Sequence, residues 1–270
     1  MIGVNEGIEM TEEYPEPSAL FDLSNDVAVV TGGGRGIGEG IVKTLAAAGA
    51  AVVVAARRTD EIEKVAAEVR EAGGRAIALT SDVTDNDHLE AAARLAISEF
   101  GGLSIWVNNA GGSPIRKPML EVDRSDWDEC IRLNLTAVWE GIRVAARHMD
   151  TGCILNVSSG AGSAPVPGSA HYGAAKAGVN SLTLTASAEL APRIRVNGIA
   201  PGVVPTEIFK IALGVESDAD LARVQAEWGI PLGRLGTPLD MGAAVLFLCS
   251  SASSWISGET LRVAGGAKAR

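Results

Sequence analysis

Tyr172 and Lys176 stand four residues apart in the run Ser169-Ala170-His171-Tyr172-Gly173-Ala174-Ala175-Lys176, and Ser159 lies thirteen residues before the tyrosine. Residues four apart on a helix share a face, which brings the Lys176 ammonium near the Tyr172 phenol. A free phenol, with a pKa near ~10, is a poor acid–base group at neutral pH. A fixed positive charge beside it favours the phenolate and is expected to draw that pKa toward the working range. The Ser159 hydroxyl can hydrogen-bond the same substrate oxygen. Such a trio moves a proton on and off an alcohol or carbonyl oxygen. Tyr-x-x-x-Lys alone is a short pattern that also occurs on the surface of ordinary helices, so its weight depends on the elements around it.

The first of these elements is a dinucleotide-type turn. Val27-Ala28-Val29-Val30 is an unbroken apolar run, the pattern of a strand covered on both faces. It leads into Thr31-Gly32-Gly33-Gly34-Arg35-Gly36-Ile37-Gly38, and a helical pattern from Ile41 to Ala48 follows, stopped by Gly49. Strand, glycine turn and helix in this order let backbone approach a pyrophosphate, with a helix N-terminus aimed at it. The alternative is a flexible glycine-rich loop.

The spacing Thr-Gly-x-x-x-Gly-x-Gly, together with Ser159, Tyr172 and Lys176, resembles the short-chain dehydrogenase/reductase family. Further matching pieces are Asp82-Val83, Asn108-Asn109-Ala110-Gly111, Asn134, Asn197, and Pro201-Gly202 followed by Thr206, so the resemblance runs from about Asn25 to Gly266. It implies an oxidoreductase acting on a secondary alcohol or carbonyl, with Asn134, Ser159, Tyr172 and Lys176 as catalytic residues and Asn134 holding a water in a proton relay. It also implies cofactor contacts from Gly32, Gly34, Arg35, Gly36, Ile37 and Gly38 in the turn. Asp82 and Val83 would meet the adenine, Asn109, Ala110 and Gly111 the cofactor side, Pro201, Gly202 and Thr206 the carboxamide, and Lys176 the nicotinamide ribose.

Composition agrees with one large α/β domain. The chain has 270 residues and a net charge of −10, which argues against nucleic acid as a partner. No run of eighteen apolar residues exists, and the N-terminus lacks the basic and apolar regions of a secretory leader. Cys130, Cys153 and Cys249 form no Cys-x-x-Cys, and His88, His148 and His171 have no metal-ligand spacing. These features suggest reduced, buried thiols, no metal and a cytoplasmic protein. Residues 1–20 hold five Glu and no Lys or Arg, half the net charge. Residues 1–22 are read as a flexible acidic extension and 23–270 as the domain.

Along the chain, strands are predicted at 26–31, 51–57, 76–81, 103–108, 152–158, 193–199 and 260–264. Helical patterns occupy 36–48, 60–72, 86–101, 125–149, 171–190 and 238–250. The alternation predicts a Rossmann-type, doubly wound parallel sheet of about seven strands in a single domain. The stretch 203–230 reads as a lid over the substrate or as a packed helical insertion.

Several finer readings concern ligands. The position that is acidic in NAD-binding relatives is Ala56 by resemblance, and Arg57 and Arg58 follow it. With Arg35 they could surround a 2′-phosphate, favouring NADP(H) while leaving NAD(H) possible. Alternatively these arginines pair with Asp60 and Glu61. Pro165, Val166, His171, Val203 and Phe209 would form a largely apolar substrate wall, suited to a lipophilic ketone or alcohol. Framework pieces resemble bacterial 7α-hydroxysteroid dehydrogenases and 3-oxoacyl-carrier-protein reductases. A dinucleotide-sensing protein without turnover is the reading from a different class. Apolar residues on more than one face of 125–149 and 171–190 point to an interface, and the resemblance implies a homotetramer, with a dimer as the alternative. The charge argument predicts that replacing Arg57 and Arg58 with uncharged residues raises the KM for NADPH far more than that for NADH. Losing a charge-assisted bond to phosphate costs roughly 1.5–3 kcal/mol, and equal effects on both cofactors would make the arginines structural.

Overall fold

The computed structural model describes residues 14–113 and 115–267. Its seven strands are β1 (Val27–Thr31), β2 (Ala51–Ala56), β3 (Arg75–Thr80), β4 (Ile105–Asn108), β5 (Gly152–Val157), β6 (Ile194–Pro201) and β7 (Thr260–Val263). The helices are α1 (Gly36–Ala47), α2 (Thr59–Glu71), α3 (Asn86–Phe100), α4 (Arg124–Ile131), α5 (Ala137–His148), α6 (Ala170–Leu190), α7 (Glu207–Leu213), α8 (Asp218–Trp228) and α9 (Pro238–Cys249). The strands form one sheet in the order β3-β2-β1-β4-β5-β6-β7, and every neighbouring pair is parallel.

Two covered faces explain the unbroken apolar strands, because successive side chains point to opposite sides. Ala28, Val30, Val52 and Val54 join a core with Ile41 and Leu45 of α1, Ile62 and Val65 of α2, and Met241 and Val245 of α9. Val27, Val29, Ala51 and Val53 pack on the other side against Leu89 and Ala93 of α3, Ile142 and Val144 of α5, and Val179 of α6. This is the expected Rossmann-type, doubly wound architecture.

The chain runs β1 to β3 in one direction and returns to β4 on the other side of β1. At this reversal the loops diverge and leave a crevice beyond the strand ends. Inside the sheet a buried polar chain ties the strands that flank it. Trp106 Nε1 donates to Asn108 Oδ1 (2.8 Å), Asn108 Nδ2 to Asn156 Oδ1 (2.9 Å), and Asn156 Nδ2 to Thr183 Oγ1 of α6 (3.0 Å). Buried amides must be paired in this way, so the chain fixes α6 against β4 and β5.

Two elements refine the sequence reading. The helix expected over 125–149 is broken between α4 and α5 by a π-helical turn, Arg132–Thr136. There Asn134 Nδ2 donates to the Cys130 carbonyl (3.0 Å), taking an acceptor that the regular backbone ladder would use. The stretch 203–230 is a helical insertion with its own small core, in which Val203, Val215, Val224 and Ile230 meet Phe209, Leu213 and Trp228. Of the acidic extension, residues 1–13 lie outside the described residues, while Pro17–Phe21 form a short 3-10 turn whose Leu20 carbonyl accepts from Ser251 (3.0 Å).

Candidate active site

A cavity of about 750 Å³ runs along the C-terminal ends of the strands. Its floor at β1 is the glycine turn. Gly32 and Gly36 have φ of 64° and 56°, a region that disfavours any residue with a Cβ. At Gly38 an added Cβ would lie 2.0 Å from the Gly32 carbonyl, so only glycine lets α1 start this close to the strand. The turn is clamped to β4. Asn109 Nδ2 donates to the carbonyls of Thr31 (2.8 Å) and Gly32 (3.1 Å), and the amides of Asn109 and Ala110 donate to Thr31 Oγ1 (3.0 and 3.1 Å). The N-cap of α1, Arg35, makes no side-chain cap, which leaves first-turn N–H groups free to meet an anion. The glycine cradle, the uncapped helix start and the elongated cavity fit a dinucleotide.

One end of the cavity is ionic. Ala56, Arg57, Arg58, Asp82 and Val83 line it together with Arg35. Two of the three arginines are already paired. Arg58 Nη1 lies 2.6 Å from Glu61 Oε1, and Arg35 lies 3.7 Å from the same oxygen. Arg35 also forms a close ion pair with Glu207, whose carboxylate is 3.8 Å from Arg58. The expected alternative of pairing with Glu61 is therefore present, whereas the pairing with Asp60 is absent among the described residues.

The other end holds the acid–base groups. Lys176 is 2% exposed, and its Nζ donates to the Val157 carbonyl (2.8 Å) at the end of β5. Burial pulls its pKa from 10.5 down to about 8. Nζ stands 5.7 Å from the Tyr172 ring centroid. Burial pushes the Tyr172 phenol up to about 12, with the Ser159 hydroxyl acting in the opposite direction. The expected depression of the phenol by Lys176 is thus corrected: removal from water is the largest influence on it, and the Ser159 hydroxyl only partly offsets that. Ser159 lines the cavity and its Oγ accepts from the Ala161 amide (3.2 Å). Ser158 is turned inward, its hydroxyl bonded to Asn180 Oδ1 (2.6 Å) and the Lys176 carbonyl (3.2 Å).

Every residue singled out from the sequence as a cofactor contact lines this one cavity, as do Ser159, Tyr172 and Lys176. Asn134 does not. It is fully buried behind the wall, where Oδ1 accepts from Gly112 N (2.7 Å) and Nδ2 donates to Gly112 O (3.0 Å). A Cβ on Gly111 would sit 2.8 Å from Asn134 Oδ1 and 3.3 Å from Lys176 Nζ, so both side chains reach the same glycine. Of the expected substrate wall, Val166, Val203 and Phe209 line the cavity. Pro165 does not, and His171 is turned away. Adjacent helical residues point about 100° apart, so a helix that aims Tyr172 into the cavity buries its neighbour. His171 Nε2 instead meets Ser113 Oγ at 3.0 Å. The sequence reading missed Glu207, Ser113, Arg116, Ile208, Trp228 and Arg262 on the wall.

Comparison with known proteins agrees with this geometry. A family model described as "Enoyl-(Acyl carrier protein) reductase" matches residues 32–268. The chain belongs to the short-chain dehydrogenase/reductase family. A 3beta-hydroxysteroid dehydrogenase 1 of Eggerthella lenta is 40% identical over 255 residues, covering 91% of this chain and 94% of that one. The 7alpha-hydroxysteroid dehydrogenase of Escherichia coli K12 is 36% identical over 251 residues, covering 90% and 94%. A solved 7α-hydroxysteroid dehydrogenase complexed with NADH and 7-oxo glycochenodeoxycholic acid superposes with a TM-score of 0.86 at 35% identity, covering 94% of this chain and 98% of that one. Like its family, this short-chain dehydrogenase/reductase is an oxidoreductase that acts on alcohol or ketone groups with a nicotinamide cofactor. No helix among the described residues is long and apolar enough to cross a membrane.

Proposed function

We propose that the protein interconverts a lipophilic ketone and its secondary alcohol, with NADP(H) as the preferred cofactor and NAD(H) as a usable one. The observation that carries this is the buried Lys176 beside Tyr172 and Ser159, at the opposite end of one cavity from an arginine cluster. The nicotinamide, when bound, supplies or accepts the hydride. In reduction Tyr172, whose phenol is protonated at neutral pH, donates its proton to the developing alkoxide. Ser159 hydrogen-bonds the same oxygen and fixes its position. Lys176 supplies positive charge behind the phenol and steadies the phenolate left after transfer. Asn134 holds Gly112 and, with it, the loop that faces Lys176.

The NADP(H) preference rests on Ala56 in place of an acid and on Arg57, which has no carboxylate within ion-pair range among the described residues. For the substrate, Val166, Val203, Ile208 and Phe209 give the cleft an apolar wall. With hydroxysteroid dehydrogenases among the relatives, this favours a hydroxysteroid-like molecule over an acyl chain on a carrier protein. Reduction of 3-oxoacyl groups is the second reading, supported by the framework resemblance.

We also infer that the protein works as a homotetramer in which segment 203–230 lids the substrate end. Trp139 on α5 and Leu184 on α6 are 43% and 61% exposed, on the two helices that read as an interface. Light scattering at micromolar protein is expected to give four chains, and a monomer would overturn the assembly.

Tyr172→Phe removes one hydroxyl and no packing volume. It is expected to cut ketone reduction by about 10²–10⁴-fold or more while NADPH still binds. Near-normal kcat across a panel of ketones would refute the assigned chemistry.

A further inference from the structure

Glu207 lines the cavity but has no part in the reaction. It opens α7, directly after Thr206, and its carboxylate crosses the cleft to the arginine cluster, with a close pair to Arg35 and a 3.8 Å approach to Arg58. The contact is between segments 172 residues apart. Thr206 is seated just as closely: a Cβ on Gly36 would come within 3.0 Å of its Cγ2. Thus the helix that begins the insertion rests on the glycine turn at one point and is held by ions at the next.

Carboxylates already engage two of the three arginines here, Arg35 and Arg58. Arg35, Arg57 and Arg58 face Glu61, Glu207 and Asp82, which lies within electrostatic reach of Arg57. A dianionic 2′-phosphate arriving here can meet Arg57 directly, but to gain Arg35 and Arg58 as well it must compete with Glu61 and Glu207. The two acids on Arg35 differ in how firmly they are fixed. Glu61 belongs to α2, whose Ile62 and Val65 are buried in the main core. Glu207 belongs to α7, which has no buried residue. Its Phe209 and Leu213 pack, part-buried, on the small core of the insertion and not on the main core, so α7 is the less firmly fixed of the two.

We propose that Glu207 is a displaceable counter-ion of the phosphate-binding arginines, which a 2′-phosphate evicts, so that the seating of α7 reports which cofactor is bound. Ile208 and Phe209 of α7 line the substrate end of the cavity, so release of Glu207 reaches the wall that meets the ketone. Glu207 is then a specificity-determining residue for the cofactor and a link from cofactor to substrate pocket. This inference rests on the reading of Arg57 and Arg58 as a phosphate site.

The test is Glu207→Gln, which keeps shape and removes charge at a half-exposed position. Dissociation constants for NADPH and NADH are measured by fluorescence titration without substrate. The ratio Kd(NADH)/Kd(NADPH) is expected to rise about two- to fivefold over wild type, in keeping with the modest strength of exposed ion pairs. Amide hydrogen exchange over residues 207–213, without cofactor, is expected to be faster in the variant. An unchanged or lower ratio overturns the competition, and unchanged exchange overturns the tie to α7. The phosphate reading itself is judged on wild type against the protein lacking Arg57 and Arg58, so the two claims fail separately.

Discussion

The site is organised around one buried ammonium. Lys176 is almost wholly removed from water and gives one of its three N–H donors to the carbonyl that ends β5. That bond sets α6 against the strand end, and with it the neighbouring turn of Tyr172. The Ser158 hydroxyl bonds back to the Lys176 carbonyl, and Asn156 on β5, two residues earlier, holds Thr183 further along the same helix. The helix therefore cannot slide without breaking buried polar contacts. Burial pulls the amine down to about 8, the sign that the fold carries this charge at a cost. A group that is costly to bury and aimed into a cleft is where function has overridden stability.

The two ends of the cavity depend on different kinds of structure. The proton-handling end is built from one strand end and one helix, through contacts between buried groups. The ionic end is assembled from α1, α2, the end of β2 and the start of α7, through half-exposed pairs such as Arg35 with Glu61. The first is rigid in its register; the second is held by interactions individually worth little in water. Glycines join the two, because the turn at Gly32 and Gly36 brings backbone where side chains would otherwise stand.

Much of this was legible in the sequence. The seven strands fall within two residues of their expected bounds, and for the inner strands this is because a strand covered on both faces must be apolar nearly throughout and must end in turn residues. The glycine turn and the Tyr-x-x-x-Lys spacing brought their residues onto one cavity, since both are local patterns read through helix and turn geometry. What was not legible was non-local. Glu207 sits beside Thr206 in the sequence, but nothing local tells that its partner is Arg35. The π-helical turn at Asn134 is hidden because its residues continue a helical pattern. His171 was expected on the substrate wall and is buried, since one step along α6 rotates a side chain out of the cleft. The Tyr172 phenol moved opposite to expectation because burial, which spacing does not encode, is the larger effect.

The central claim is that Lys176 is a charge buried against the stability of the fold, and its sign can be worked out. A lysine whose folded pKa, about 8, lies below 10.5 weakens the fold fully under pH 8, and the penalty fades as pH rises to about 10.5. The gap corresponds to at most about 3 kcal/mol, reduced by whatever the bond to Val157 contributes. The direct measurement is urea unfolding of the cofactor-free protein and its Lys176→Met variant from pH 7 to pH 10.5. The account predicts that the methionine variant is the more stable at pH 7 and that its advantage closes across that range. A variant less stable at pH 7, or an advantage indifferent to pH, would contradict it.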